Sequence, residues 1–234
     1  MGRKIKMIYN DIVEGIFLER PNRFIAKVLI EGQLETVHVK NTGRCKEILI
    51  KGTKIFLQKS HNPNRKTKYS LISAFKDEML INIDSQVPNE VVYDAITSNK
   101  IPELADLHFV KREQKYKNSR FDIYFEGENR RGFVEVKGVT LEKDGLAMFP
   151  DAPTERGRKH VEELIGAIEE GYEGYVFLLI QMKDISRFVP NAIMDPKFSD
   201  ALKRAKAAGV HIVCYNSHVT GDTIEIGNQA EVVV

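Results

Sequence analysis

The sequence predicts an α+β chain of two domains. Residues 1–85 read as an OB-like five-stranded β-barrel, and residues 86–234 as a three-layer α/β domain with a mixed sheet. Two observations carry this. The first part alternates short β-like segments with turn residues, and past Pro88 the apolar period lengthens to that of a helix. A length of 234 residues suits one large or two modest domains, since compact domains cluster near about 100–150 residues.

In the first part, "DIVEGIFLE", "RFIAKVLI", "LETVHVK", "TKIFLQK", "YSLISAF" and "MLINI" are strand-like. Turn signals at Pro21-Asn22, Glu31-Gly32 and Asn41-Thr42-Gly43 separate them. Five or so short strands suggest a Greek-key barrel of the OB kind, which commonly holds nucleic acid on one face; the pattern alone leaves an SH3-like barrel open. "VPNEVVYDAITSN" then places Val91, Ala95 and Ile96 on one helical face and stops at Ser98-Asn99. "LHFVKREQKY", "RFDIYFE" and "RGFVEVKGVT" form a meander, and "EKDGLAMFPDAPT" reads as a long polar loop. A helix begins near Thr154, with Val161, Leu164, Ile165 and Ile168 as its core stripe and Gly171 at its end. "YVFLLIQM" is apolar throughout, as a central strand covered on both faces is. In "DPKFSDALKRAKAAG", Asp195 is the N-cap, Pro196 opens the helix and Gly209 follows it. "VHIVCY" adds a strand, and the closing "EVVV" reads as an edge strand joining this chain or a neighbour, so the oligomeric state is open, a homodimer included.

Lys and Arg number 35 against 33 Asp and Glu, a net charge of +2 that neither demands nor excludes a nucleic-acid partner. No apolar run approaches the about 20 residues that span a bilayer, and no signal core follows the basic start; a cytoplasmic protein without a membrane partner is expected. Cys45 and Cys214 lie far apart without CxxC spacing, so a disulfide framework or zinc cluster is not expected. Between Glu47 and Asp77 there is no acid but seven Lys and Arg, and Lys111, Arg112, Lys115, Lys117 and Arg120 form a second basic stretch around Glu113. Such runs are often only solvated faces. P-loop, dinucleotide-binding and GxSxG motifs are absent.

In "GFVEVKGV", Val134 and Val136 face one way, Glu135 and Lys137 the other. If "RFDIYFE" pairs antiparallel with it and keeps Phe121, Ile123 and Phe125 on the shared apolar face, Asp122 lies opposite or diagonal to Glu135 or Lys137. Two carboxylates held close raise each other's pKa unless a cation intervenes, and a hard divalent ion suits oxygen ligands. A lysine beside them can stabilise the charge that gathers as metal-activated water attacks a phosphodiester. A buried salt-bridge triad fits the same residues.

"SRFD" followed by "VEVK", in the order helix, three strands, helix, strand, resembles the PD-(D/E)xK (restriction-endonuclease-like) nuclease core. "RPNRF", "VHVKNTGR", "NRKTKY", "REQKYKNSRFD", "VEVKGVTLEKDGLAMFPDAPTERGRKHVEEL" and "DPKFSDALKRAKAAGV" resemble the sugar fermentation stimulation protein (SfsA) family over nearly the whole chain. The resemblance implies an OB-type barrel before a nuclease-like domain, DNA binding without clear sequence preference, and an association with sugar metabolism. It implies Asp122 and Glu135 as ligands of Mg²⁺ or Mn²⁺ and Lys137 as the residue that orients or polarises water. Glu113 is an additional candidate acid. The nuclease superfamily often takes a glutamate from its first helix, where Glu90 or Asp94 could serve.

Candidate phosphate contacts are Arg20, Arg23, Arg44, Arg65, Lys66 and Lys68 in the barrel, with Arg120, Arg156, Lys159 and His160 beyond it; the last three sit at a helix start that favours anions. His160 also fits as a satisfied core histidine. Phe24, Phe56 and Tyr69 suit either base stacking or the core. Met148 and Phe149 suit a lid or DNA wedge. Three functions stay open: a metal-dependent nuclease, a non-cleaving DNA-binding regulator, and a metal-dependent enzyme for a small phosphorylated or nucleotide substrate.

Overall fold

The computed structural model describes residues 6–234; the reading of the basic start falls partly on residues 1–5, outside the described residues. After β1 (Lys6–Ile8) come β2 (Ile12–Asn22), β3 (Ile25–Ile30), β4 (Gln33–Val39), β5 (Lys54–Lys59), β6 (Tyr69–Lys76) and β7 (Met79–Asn82). Strands β2 to β7 form a sheet in the order β4-β3-β2-β5-β6-β7, and β4 also pairs in parallel with β6, closing β2 to β6 into a five-stranded barrel. That closure is the OB arrangement and removes the SH3-like alternative. Alternation builds the interior: Ala26, Val28 and Ile30 of β3 are buried, while Ile25, Lys27 and Leu29 between them are partly exposed. The β3–β4 hairpin turns on Glu31 and Gly32, both at positive φ (50° and 78°), the conformation a two-residue hairpin demands.

The second part runs α1 (Pro88–Thr97), a 3-10 turn (Pro102–Leu104), β8 (Leu107–Tyr116), β9 (Ser119–Gly127), β10 (Arg131–Val139), β11 (Leu141–Lys143), β12 (Leu146–Phe149) and α2 (Glu155–Glu169). It continues through β13 (Glu173–Ile180), β14 (Arg187–Pro190), α3 (Pro196–Ala207), β15 (His211–Val219), β16 (Thr223–Gln229) and β17 (Glu231–Val232). A seven-stranded mixed sheet has the order β1-β16-β15-β13-β10-β9-β8, with β10, β13 and β15 parallel. Strand β13 lies at its centre: Tyr175, Phe177 and Leu179 pack with the cluster around α1, and Val176, Leu178 and Ile180 with the one around α2 and α3. Its unbroken apolar run follows from having both faces covered.

Two expectations change, and one open alternative is decided. Strand β1 leaves the barrel and pairs antiparallel with β16, so the first residues described belong to the second sheet. The expected loop "EKDGLAMFPDAPT" contains the β11–β12 hairpin, part of a four-stranded sheet ordered β11-β12-β14-β17. "EVVV" supplies β17, which pairs with β14 of the same chain. Strands this short show no period, and β1, β14 and β17 pair with partners far along the chain.

The seam between barrel and α/β domain is a buried polar network. Gln181 donates through Nε2 to the Asn82 and Asp84 carbonyls, both at 3.1 Å, and Asn82 Nδ2 donates to the Tyr9 hydroxyl at 3.1 Å. Lys40 meets Asp84 at 2.9 Å, and Lys76 pairs with Glu142. These contacts set one wall of a cleft against the other.

Candidate functional site

The β9–β10 ladder runs from Arg131↔Glu126 to Val134↔Ile123 and stops. Beyond it the Val136 N–H donates to Asp122 Oδ2 at 2.8 Å, so a side-chain carboxylate takes the place of a strand carbonyl where the two strands part. Asp122 Oδ1 accepts from Asn89 Nδ2 at 2.7 Å, in the first turn of α1. Helix α1 comes this near because residue 138 is glycine: a Cβ there would lie 2.8 Å from Pro88 Cγ. Glu135 is 2% exposed. Its Oε1 lies 2.5 Å from Lys137 Nζ and 2.5 Å from His160 Nδ1, whereas its Oε2 is buried with no hydrogen-bond partner.

The expected shared face of Phe121, Ile123 and Phe125 does not form. Phe121 stacks 4.9 Å from Phe133 in the cluster under α2, while Ile123 and Phe125 join the cluster around α1. Opposite this stretch, Glu113 of β8 has φ 56°, a kink that breaks strict alternation.

Burial, and then the charge of Glu135, push the Asp122 carboxyl up to about 6 against the pull of Lys137, the Val136 amide and Asn89. Burial also pushes Glu135 up, but Lys137 and His160 outweigh it and hold Glu135 below the usual carboxylate range. The two acids therefore differ in character: one is compensated by cations, the other is kept reluctant to ionise.

Asp122, Glu135, Val136, Lys137 and Asn89 line a cleft of about 550 Å³ between barrel and α/β domain. Its far wall is the barrel loop 41–43 with Arg23, and the segment 148–157 supplies another side, so Met148 and Phe149 do face the cleft, from β12. Neither Glu90 nor Asp94 lines it; Asn89 is the α1 residue that does. Glu113 is not brought there: its exposed carboxylate turns to Arg120 at 3.5 Å.

The basic residues divide. Arg20, half-buried on the barrel groove, donates to the carbonyls of Gly43, Arg44, Arg23 and Asn41 at 2.5–2.8 Å, which holds the 41–44 loop. Arg65 is bonded to Thr67 and Ser70 at 3.3 and 3.0 Å. Arg23, Arg44, Arg120, Arg156 and Lys159 are exposed around the cleft and its continuations, while Lys66 and Lys68 are exposed on the loop before β6. His160 is a buried partner of Glu135, with its ring also lining a basic depression beside α2. Of the aromatics, Phe24 is 50% exposed, whereas Phe56 is half-buried against Phe75 and Tyr69 packs on the core.

Sequence reasoning missed Asn89, Asp151 and Gln181. Only the position of Asn89 beside a helix-opening proline hinted at a role, because each reaches the cleft from a different element.

Comparison with known proteins follows the same division. A family model described as "SfsA N-terminal OB domain" matches residues 18–83, and one described as "Sugar fermentation stimulation protein RE domain" matches residues 86–223. The chain belongs to the sugar fermentation stimulation protein (SfsA) family. It is 53% identical to the SfsA homolog of Alkaliphilus oremlandii, over 97% of this chain and 98% of that protein. It is 52% identical to the SfsA homolog of Clostridium beijerinckii, over 97% and 100%. The structure of Pyrococcus furiosus SfsA in complex with Ca²⁺ matches with a TM-score of 0.88 and 30% identity, covering 100% of both chains. Among the described residues of this SfsA-family chain, no helix is long and apolar enough to cross a membrane.

Proposed function

We propose that this SfsA-family protein binds DNA without sequence preference and hydrolyses phosphodiester bonds with Mg²⁺ or Mn²⁺ at Asp122, Glu135 and Lys137. The observation that carries the reading is Glu135 Oε2, a buried carboxylate oxygen without a partner, beside a second buried acid whose carboxyl is pushed up to about 6. Buried polar atoms are nearly always satisfied, and two adjacent acids repel when ionised; a hard divalent cation relieves both.

Among the described residues no group of three or more His, Cys, Asp or Glu side chains is gathered to hold a metal. Two acids suit Mg²⁺, which is usually held by one or two carboxylates together with water and substrate phosphates. The Ca²⁺ of the Pyrococcus furiosus relative supports a hard-cation site on this fold. Asp122 and Glu135 would hold the ion, which when bound supplies Lewis-acid polarisation and a more acidic water. The chain does the rest. Asn89 and the Val136 amide fix Asp122, His160 fixes the Glu135 rotamer, and Lys137 presents its ammonium to the cleft where negative charge gathers on a phosphate.

A non-cleaving DNA-binding regulator is the second reading. It is favoured by the fact that Lys137 and His160 both sit on Glu135 Oε1 and already compensate its charge.

Cleavage of circular single-stranded DNA and of supercoiled plasmid, each with Mg²⁺ or Mn²⁺, separates the two. Wild type should cut at least one of them, and Glu135→Ala and Lys137→Ala should each lose about 100-fold or more while retaining DNA affinity. A wild-type protein that binds DNA yet cuts neither form in either metal overturns the nuclease reading and leaves the regulator. Affinity should fall steeply with salt; a flat response removes the phosphate contacts.

A further inference from the structure

The cleft continues into two open depressions. A barrel groove of about 490 Å³ shares Arg23, Thr42 and Gly43 with it, and a depression of about 970 Å³ beside α2 shares Arg156. From these we infer that the nucleic acid reaching the carboxylates is single-stranded, lying along the barrel groove, through the cleft, and out over the start of α2. This rests on the DNA-binding reading above and names its substrate.

The first argument is closure. The Arg44 N–H donates to Asp151 Oδ2 at 2.8 Å, and Gly43 packs so tightly on that carboxylate that a Cβ would collide with it. The barrel loop and the β12–α2 segment therefore meet at the edge of the cleft. Both are braced. On the barrel side Arg20 gathers the loop carbonyls, and Asn41 Nδ2 donates to the Ile83 carbonyl at 3.0 Å. On the other side Asn191 Nδ2 donates to the Pro150 carbonyl at 2.9 Å, and Asp195 Oδ2 accepts from the Thr154 N–H at 2.9 Å.

The second argument is size. At about 550 Å³ the cleft has the volume of a small-molecule pocket, room for one or two nucleotides. That volume suits one strand rather than a whole duplex, whose major groove alone is about 12 Å wide.

The third is surface chemistry. Arg23, Arg44, Lys46 and Lys51 line the barrel groove, and Lys115, Arg120 and Lys159 line the far depression. The acids there are in part already engaged: Glu19 with Lys27 at 2.7 Å and Glu113 with Arg120 at 3.5 Å. Phe24 is 50% exposed beside this path, with the Arg23 guanidinium 5.7 Å from its ring centroid. A basic track with an exposed aromatic platform is how single strands are held without sequence preference.

The test is fluorescence anisotropy in EDTA with a labelled 12-nucleotide single strand and the blunt 12-base-pair duplex of the same sequence. The single strand should bind at least tenfold tighter. Lys46→Ala combined with Lys51→Ala, both on exposed side chains, should lower the single-strand salt slope by about 1.4, from about 0.7 per lost phosphate contact. Phe24→Ala should weaken single-strand binding about fivefold or more. Equal or tighter duplex binding overturns this inference and leaves the DNA-binding reading standing. Failure to bind either oligonucleotide removes the DNA-binding reading and the inference with it. An unchanged salt slope in the double variant overturns the path along the barrel groove.

Discussion

Two carboxylates in this molecule are equally hidden, Asp84 at the domain seam and Glu135 in the cleft, each 2% exposed. At Asp84 both oxygens are used: Oδ2 accepts from Lys40 Nζ at 2.9 Å and Tyr9 OH at 3.5 Å, and Oδ1 accepts from the Gln86 N–H at 3.0 Å. At Glu135 two donors crowd onto Oε1 and leave Oε2 with none. Burial alone thus does not set Glu135 apart, nor does a bare oxygen, since Glu47 Oε1 and Glu163 Oε2 are also buried without a partner; what distinguishes Glu135 is a bare oxygen in the cleft beside a second buried acid, Asp122.

The largest expected effect tests the closed cluster. Asp84→Ala strands Lys40 and removes the acceptor of the Tyr9 hydroxyl and the Gln86 N–H, and should destabilise by about 3 kcal/mol, or about 6–12 °C in a thermal melt for a chain of this size. A drop under about 2 °C would deny the seam its structural status.

The open cluster should respond to metal instead. Mn²⁺ at about 100 times its dissociation constant should stabilise wild type by about 2.7 kcal/mol. Glu135→Gln should abolish that gain while changing metal-free stability by less than about 1 kcal/mol, since the amide oxygen still meets Lys137 and His160. Equal metal shifts in melts of both proteins would break the contrast.

A third carboxylate sharpens it. Burial pushes the Asp195 carboxyl up, but the N–H groups of Thr154 and Phe198 outweigh burial and hold it below the ordinary range. A lowered folded pKa stabilises fully above the unfolded value near about 3.9 and loses that stabilisation as pH falls through the folded one. Asp195→Ala should therefore cost about 1–2 kcal/mol between pH 7 and 5, with the gap closing below about pH 4. A gap as wide at pH 3 in urea titrations would refute the capping account.

Much of this was legible where the cause is local. Asp195 caps α3 and Thr154 caps α2, as their spacing to the apolar stripes requires, and Glu31-Gly32 makes the β3–β4 turn. Asp122 and Glu135 could be brought together from sequence because a short-looped meander leaves few registers that keep Val134 and Ile123 buried. The loop-holding role of Arg20 was not legible, because nothing local shows that four carbonyls converge on it. Phe121 misled because alternation presumes an unkinked ladder.

The sequence by itself determined the barrel, the helix positions, the mixed sheet and the Asp–Glu–Lys group, since strand alternation, helix period and capping act over a few residues. Only the tertiary structure decided that Asn89 and His160 hold the two acids, that Glu135 keeps one bare oxygen, and that Gly43 and Asp151 close the edge of the cleft. Those contacts join segments up to 108 residues apart, from Gly43 to Asp151, and depend on how the barrel docks, which no local period records.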